Sequence, residues 1–256
     1  MAQHPHLFVP TAGEAARFTS PNSGPREGIS LPVRDRADHA NNLIAKLEAL
    51  APEAAQRVET QKVSGLDQGF GIYLTFQSEP DFSLKFESLD LTRSGIELCS
   101  VKTNPDHTMQ AAVFVPDGKL DLFLNRIVAY RDENTTPRQE GGPTRPKNQD
   151  LVESISDIKI AALEALWTEE RVPFPDRTAI TTWELWLRRQ GTTDHLARLH
   201  AFAGQFNLIA SAQSVAFVDR TVVLVRGSGD DLARSIDILG MIAEVRMPEG
   251  NSGLLH

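Results

Sequence analysis

The stretch TTWELWLRRQGTTDHLARLHAFAGQFNLIASAQSVAFVDRTVVLVRGSGDDLARSIDILGMIAEVRM, residues 181–247, decides the fold. At its start, Trp183, Leu185 and Leu187 occupy every second position of residues 182–188, which places them on one face of a strand. Trp186 lies on the opposite, otherwise polar face. The stretch therefore begins with a half-buried β-strand.

Five further elements follow this strand. A helix with apolar residues at three- and four-residue spacing comes first, and the β-branched runs 214–218 and 221–226 then flank a tight turn. A second helix ends at Gly240, and residues 242–247 form the last strand. The order strand, helix, strand, strand, helix, strand predicts an α+β fold with a ferredoxin-like, propeptide-like βαββαβ sandwich.

The strand at 221–226 is apolar on both faces, although two helices cover only one face of a four-stranded sheet. Val222 and Leu224 lie on the second face, which needs another cover. Either another part of this chain or an external partner supplies it. Trp186 is the best anchor for such an interface, because large aromatic side chains dominate binding hot spots. The candidate interface residues are Trp186, Val222, Leu224, Val245, Met247, Leu254 and Leu255.

The chain upstream repeats part of this organisation. Strands are predicted near 72–76, 96–103 and 108–115, and Asp117 caps a helix that follows them. An N-terminal helix precedes them, and Pro52 either ends it or begins another turn. No closing strand is evident. The sequence therefore predicts a first module that is related to the second but is an incomplete α+β unit.

Composition divides the chain into segments. Between Arg131 and Asn148 lie three prolines, two adjacent glycines and mixed charges, which is typical of a surface loop. The predicted organisation is an extended or disordered arm at 1–30, the N-terminal helix and first module at 31–133, a linker loop at 134–148, a connecting helix at 149–176, the second module at 177–248 and a tail at 249–256.

Charge and composition narrow the classes of partner. The 256 residues carry a net charge of −8, whereas a protein that mainly binds nucleic acid usually has a basic surface. The single cysteine, Cys99, excludes an internal disulfide and fits a reducing compartment. No run of 18 apolar residues is present, and the N-terminus lacks the pattern of an export signal. We therefore expect a cytoplasmic protein that binds neither nucleic acid nor membrane.

Catalytic and ligand-binding motifs are missing from the sequence. His195 and His200 are five residues apart and have no neighbouring cysteine to complete a metal site. The turn at 227–229 precedes a helix, but Asp230 and Asp231 would repel an anion there. We predict no catalytic residue, no cofactor and no metal ligand in this chain.

Short motifs in a characteristic order run along almost the whole chain. They are HPHLFVP (4–10), FTSP (18–21), LP with RDR (31–36), SGI (94–96), VFVP with GK (113–119), PKNQDLVESI (146–155), DI (157–158) and LW (166–167). Together with the open sheet face, their order resembles the N-terminal, non-catalytic region of bacterial subtilisin-like (S8 family) serine peptidases found beside AAA-type ATPases. The catalytic motifs of that family, Asp-Ser/Thr-Gly, His-Gly-x-His and Gly-Thr-Ser-Met, do not occur here.

The resemblance implies a function and partners. The second module would pack its open face on a peptidase domain in the same polypeptide, helping it to fold or holding it inactive, and the tail at 249–256 would point toward that domain. An AAA-type ATPase partner and a part in phage defence are also implied. The alternative is a stand-alone adaptor that binds a protein through an exposed sheet edge or face and is unrelated to proteolysis.

Overall fold

The structure is a computed structural model that describes residues 30–65, 68–136, 142–169, 172–189 and 193–248, without the side chains of residues 236–239. The predicted arm at 1–30, apart from its last residue, and the predicted tail at 249–256 lie outside the described residues. The candidate interface residues Leu254 and Leu255 therefore have no described position.

The first module contains one antiparallel sheet with helices on one face. Its elements are α1 (Arg36–Val63), β1 (Gly71–Gln77), β2 (Glu97–Thr103), β3 (Met109–Pro116), α2 (Asp121–Asp132), α3 (Gln149–Ser154) and β4 (Asp157–Ile160). The strand order across the sheet is β2-β3-β1-β4. Two short 3-10 turns, Phe86–Ser88 and Thr92–Ser94, lie between β1 and β2.

The closing strand of the first module is β4, and two predictions were wrong here. A connecting helix was predicted from residue 149 onward, but α3 has only six residues and the chain then pairs with β1. Apolar residues such as Ile155 and Ile158 suit either a helix or a strand. Residues 157–160 form a strand because they pair with the open edge of β1. The first module therefore has its closing strand. The predicted linker at 134–148 connects α2 to α3.

The second module has the predicted order of elements. They are β5 (Thr181–Arg188), α4 (His195–Phe202), β6 (Ile209–Ala216), β7 (Arg220–Gly227), α5 (Gly229–Leu239) and β8 (Ile242–Arg246). The strands form an antiparallel sheet in the order β6-β7-β5-β8, which repeats the order of the first sheet. Gly240 follows α5 with φ of 54°, the left-handed conformation that glycine adopts without strain. The α+β class is confirmed.

Two helix ends differ from the sequence prediction. Helix α1 has 28 residues and continues through Pro52, because its apolar residues pack on both sides of the proline. Asp35 is its N-cap and accepts the backbone N–H of Asp38. In contrast, Asp117 does not cap α2, whose N-cap position is Leu120. No helix in the described ranges is both long and apolar enough to cross a bilayer.

Two apolar cores hold the modules. One lies between α1, α2, α3 and one face of the first sheet. The other joins α4 and α5 to the inner face of the second sheet, and it also includes Tyr73 and Phe114 from the opposite face of the first sheet. Residues 161–167, with β8, pack against that opposite face. Both faces of the first sheet are therefore covered from within the chain.

Candidate functional site

The side of the second sheet that faces away from α4 and α5, here called the outer face, carries an apolar patch. The register places Trp186 of β5 opposite Val222 of β7, and Val222 opposite Val215 of β6. Leu224 and Ile209 extend the same face. Ile209 and Val215 are 65% and 57% exposed, and Trp186, Val222 and Leu224 are half-buried. The described residues thus leave this patch open to solvent.

Trp186 is held in a defined orientation. The Phe217 ring stacks on it with centroids 5.6 Å apart and 7° between the planes, and the Arg246 guanidinium lies 4.5 Å from its centroid. The indole N–H donates to the Glu184 carboxylate at 2.8 Å. Arg189 donates to the Phe217 carbonyl and so fixes the β6–β7 turn. The patch is therefore preorganised, which lowers the entropic cost of binding.

Two of the predicted interface residues do not lie on the outer face. Val245 pairs with Leu185, and it is completely buried in the core on the inner side. Met247 also packs against that core. The error arose because β8 was assigned to the open surface without a register, and its pairing with β5 decides which side chains point outward.

Three apolar members of the outer face were missed. Ile209 belongs to β6, which starts five residues earlier than the predicted run at 214–218. Val215 follows Ser214 and is separated from Phe217 by Ala216, so a period of two could have placed both on one face. Phe217 is 47% exposed although it is a large aromatic residue, which makes it the second anchor of the patch.

The first module closes one end of the outer face. Arg188 lies under the Phe114 ring, with its guanidinium 3.5 Å from the ring centroid. The Glu97 carboxylate accepts from Arg188 at 2.6 Å and from Arg220 at 2.7 Å. The side chains of Arg188 and Glu97 are only 6% and 2% exposed. This buried Arg188–Glu97–Arg220 cluster fixes the second sheet on the first module.

Comparison with known families gives one match. Residues 37–162 match the family model for the Y4kK N-terminal domain. The Y4kK-like part runs from α1 to just after β4 and so corresponds to the first module. It includes Glu97 but ends before the outer face. Neither the curated proteins nor the solved structures contain a match to this chain.

The remaining titratable candidates do not form a metal site. His195 is buried at the start of α4, and no group of three or more His, Cys, Asp or Glu residues in the described part of the chain could hold an ion. The single cysteine, Cys99, is not a reactive thiol. Burial raises the pKa of the Cys99 thiol to about 12. The thiol is therefore protonated at neutral pH and is a poor nucleophile.

His195 gives the protein a predicted pH dependence. Burial, together with the charges of the nearby Arg188 and Arg198, lowers its pKa from 6.5 to about 4. The unfolded chain therefore takes up a proton between pH 6.5 and 4 that the folded chain does not. Above pH 6.5, His195 is neutral in both states and does not reduce the free energy of unfolding. As the pH falls from 6.5 to 4, protonation of His195 in the unfolded chain lowers the free energy of unfolding by up to about 3 kcal/mol.

Urea denaturation of wild type and His195→Gln at pH 7, 6, 5 and 4.5 measures this contribution. The wild-type stability is expected to fall more steeply with decreasing pH than that of the variant, because glutamine does not titrate. Other titrating groups contribute to both curves and cancel in the difference. Parallel curves would show that His195 titrates normally in the folded protein.

Proposed function

We propose that this chain is the non-catalytic N-terminal region of a subtilisin-like serine peptidase and that its outer face docks on the peptidase domain. The single observation that carries the proposal is the open, preorganised patch around Trp186 and Phe217. The order of motifs from His4 to Trp167 supports the choice of a peptidase as the parent protein. In this proposal the docked region helps the peptidase domain to fold or holds it inactive.

Comparison of the two sheets supports a docking role for the outer face of the second sheet. The two sheets have the same strand order, and both carry helices on one face. On the other face of the first sheet, Tyr73 and Phe114 are in ring contact at 5.3 Å and are covered by residues 161–167 and by β8. The corresponding face of the second sheet has a ring pair of similar spacing but lacks a cover among the described residues.

The chemistry of the outer face fits a protein partner. Trp and Arg are the residue types most enriched in binding hot spots, and here Trp186 is packed between Phe217 and Arg246. The surrounding side chains Val222, Leu224 and Val215 exclude water from the centre of a contact. The proposal also includes a cytoplasmic location and, following the family resemblance, contact of the first module with an AAA-type ATPase in phage defence.

Trp186→Ala tests the docking role. Its affinity for the separately produced peptidase region is expected to fall about 10- to 100-fold, because truncation of a central aromatic anchor costs about 2 kcal/mol or more. Isothermal titration calorimetry measures the Kd, and circular dichroism checks that the variant is folded. Val63→Ala is the matched control, since Val63 is 82% exposed at the end of α1, in the first module. An unchanged Kd for Trp186→Ala would remove the outer face from the interface.

The alternative, a stand-alone adaptor, is favoured by a different observation. Strand β6 forms one edge of the second sheet, and its eight residues include neither a charged residue nor a proline, which usually protect an edge. An extended segment of another protein could pair with it. Sequencing the reading frame beyond codon 256 separates the two: a peptidase parent encodes the Asp-Ser/Thr-Gly motif there, and an adaptor does not.

A further inference from the structure

A cavity in the first module combines apolar and charged lining residues. Its volume is about 350 Å³, and it is lined by residues from 85–91, by Arg126 of α2 and by residues from 145–151, which lead into α3. Leu91 and Leu151 contribute apolar surface. The charged lining residues are Lys85, Glu87, Asp90, Arg126, Arg145 and Asp150. This size and this mixture of groups are typical of a small-molecule site.

Two of the three cations in the cavity are neutralised by carboxylates. Lys85 pairs with Glu87 at 3.3 Å. Arg145 makes two contacts with Asp150, at 3.1 and 3.4 Å. The third cation, Arg126, has no ion pair with any described residue.

The remaining carboxylate, Asp90, does not serve Arg126 as a counter-charge. Asp90 is exposed, and it accepts from the Thr92 hydroxyl at 3.1 Å and from the Leu98 backbone N–H at 3.3 Å. Its role in the described structure is therefore to fix the turn that leads into β2.

Arg126 is held in position with one edge of its guanidinium open. Nη1 donates to the Ser88 carbonyl at 2.6 Å, and the Asn148 side-chain amide donates to the Arg126 backbone carbonyl at 3.1 Å. Within the described part of the chain, Nε and Nη2 make no hydrogen bond. These two donors form the planar fork that matches the two oxygens of a carboxylate.

The charge of Arg126 is only partly hydrated. The residue is half-buried, and burial lowers the pKa of its guanidinium. No charged group among the described residues acts against that shift. The guanidinium still carries its proton at neutral pH, so a bound anion would replace lost hydration with charge-assisted hydrogen bonds.

We infer that the cavity binds a small monocarboxylate through the Nε–Nη2 edge of Arg126. One unpaired cation matches a ligand with one negative charge. A dianion is disfavoured, because Glu87, Asp90 and Asp150 belong to the same lining and would repel the second charge. The inference is independent of the proposed function, since every lining residue lies in the first module and the outer face lies in the second.

Nuclear magnetic resonance titration of the full chain with sodium acetate tests the inference. Chloride is exchanged for acetate at constant sodium concentration, so that the ionic strength does not change. The Arg126 Nε–H signal and the backbone amides of Ser88 and Asn148 are expected to shift in a saturable way, with a Kd of about 1–10 mM for so small a ligand. Acetamide, which has the same shape but no charge, and sulfate, a dianion, should each bind at least about tenfold more weakly.

Three variants assign the binding to Arg126. Arg126→Gln should weaken acetate binding at least about tenfold, read from the Ser88 and Asn148 amides. Arg126→Lys keeps the charge but not the fork, so a loss of about three- to tenfold is expected. Arg131→Gln is the matched control on the same helix: Arg131 pairs with Asp132 at 2.9 Å and does not line the cavity, so the Kd should not change.

Each outcome supports or overturns the inference. Saturable acetate binding that Arg126→Gln loses and Arg131→Gln keeps would support it. No saturable shift up to about 100 mM acetate, or an equal Kd in wild type and Arg126→Gln, would overturn it. Binding of sulfate or acetamide as tight as that of acetate would overturn the assignment of a monocarboxylate. Circular dichroism checks that the variants are folded, and Arg126→Lys decides the matter if Arg126→Gln is not.

Discussion

Glu97→Gln is expected to lower the free energy of unfolding by about 3–5 kcal/mol, because it leaves the buried Arg188 guanidinium without a counter-charge. Glutamine has nearly the same shape as glutamate, so the loss reports charge and not packing. The other contacts of the Arg188 guanidinium, the Gly240 carbonyl at 2.7 Å and the Phe114 ring, carry no formal negative charge and do not replace the carboxylate. Urea denaturation followed by circular dichroism measures the change.

Glu87→Gln is the matched control for Glu97→Gln. Glu87 pairs with Lys85 at 3.3 Å, but its side chain is 60% exposed, so water replaces the lost partner. The expected loss is at most about 0.5 kcal/mol. Equal and small effects of the two substitutions would show that water reaches the Glu97 cluster and that the contact between the modules does not depend on it.

The sequence predicts the second module well because local signals there agree with the tertiary structure. The alternation in residues 181–188 places Trp183 in the core and Trp186 on the other face, as observed. Asp194 caps α4 through the backbone N–H of Ala197, and Gly240 ends α5. Each of these features depends on residues close in the sequence, which is why pattern and propensity identify them.

Strand β4 could not be identified from its own residues. DIKI is too short for a clear period, and the apolar spacing before it also fits a helix. What makes it a strand is the free edge of β1, which lies about 80 residues upstream: Leu74 pairs with Ile160 and Gln77 with Asp157. A pattern read from neighbouring residues does not contain the pairing of β4 with the distant β1. The first module was therefore wrongly predicted to be incomplete.

The need for long-range contacts also explains why the charged cluster at the site was missed. Trp186, Val222 and Leu224 were predicted from alternation, and they lie on the outer face. The Arg188–Glu97–Arg220 cluster joins residues 91 and 123 positions apart, and nothing in their local sequence distinguishes them from solvated charges. Long-range pairing of charges requires the packing of the two modules to be known first.

Trp183→Ala is expected to be the most destabilising apolar truncation in the second module, with a loss of about 3–5 kcal/mol. Trp183 is completely buried, and its ring contacts those of Trp167 and Phe174 with centroids 6.2 and 5.6 Å away. Its indole N–H also donates to the buried Gly227 carbonyl at 2.9 Å, so alanine leaves that acceptor without this donor as well as a cavity. Urea denaturation followed by far-ultraviolet circular dichroism measures the loss.

Trp186→Ala is the control for Trp183→Ala. Trp186 lies three residues further along β5 on the outer face, so the comparison separates the packing of the inner face from that of the outer face. It removes a side chain of the same size, but one that is half-buried and that leaves a space open to water, so the expected loss is about 1 kcal/mol or less. If Trp183→Ala is too unstable to purify, Trp183→Phe keeps most of the ring contacts and should lose about 1–2 kcal/mol, mainly from the Gly227 hydrogen bond. Equal losses at positions 183 and 186 would mean that both faces of β5 are packed equally, and the outer face would then have no free surface to offer a partner.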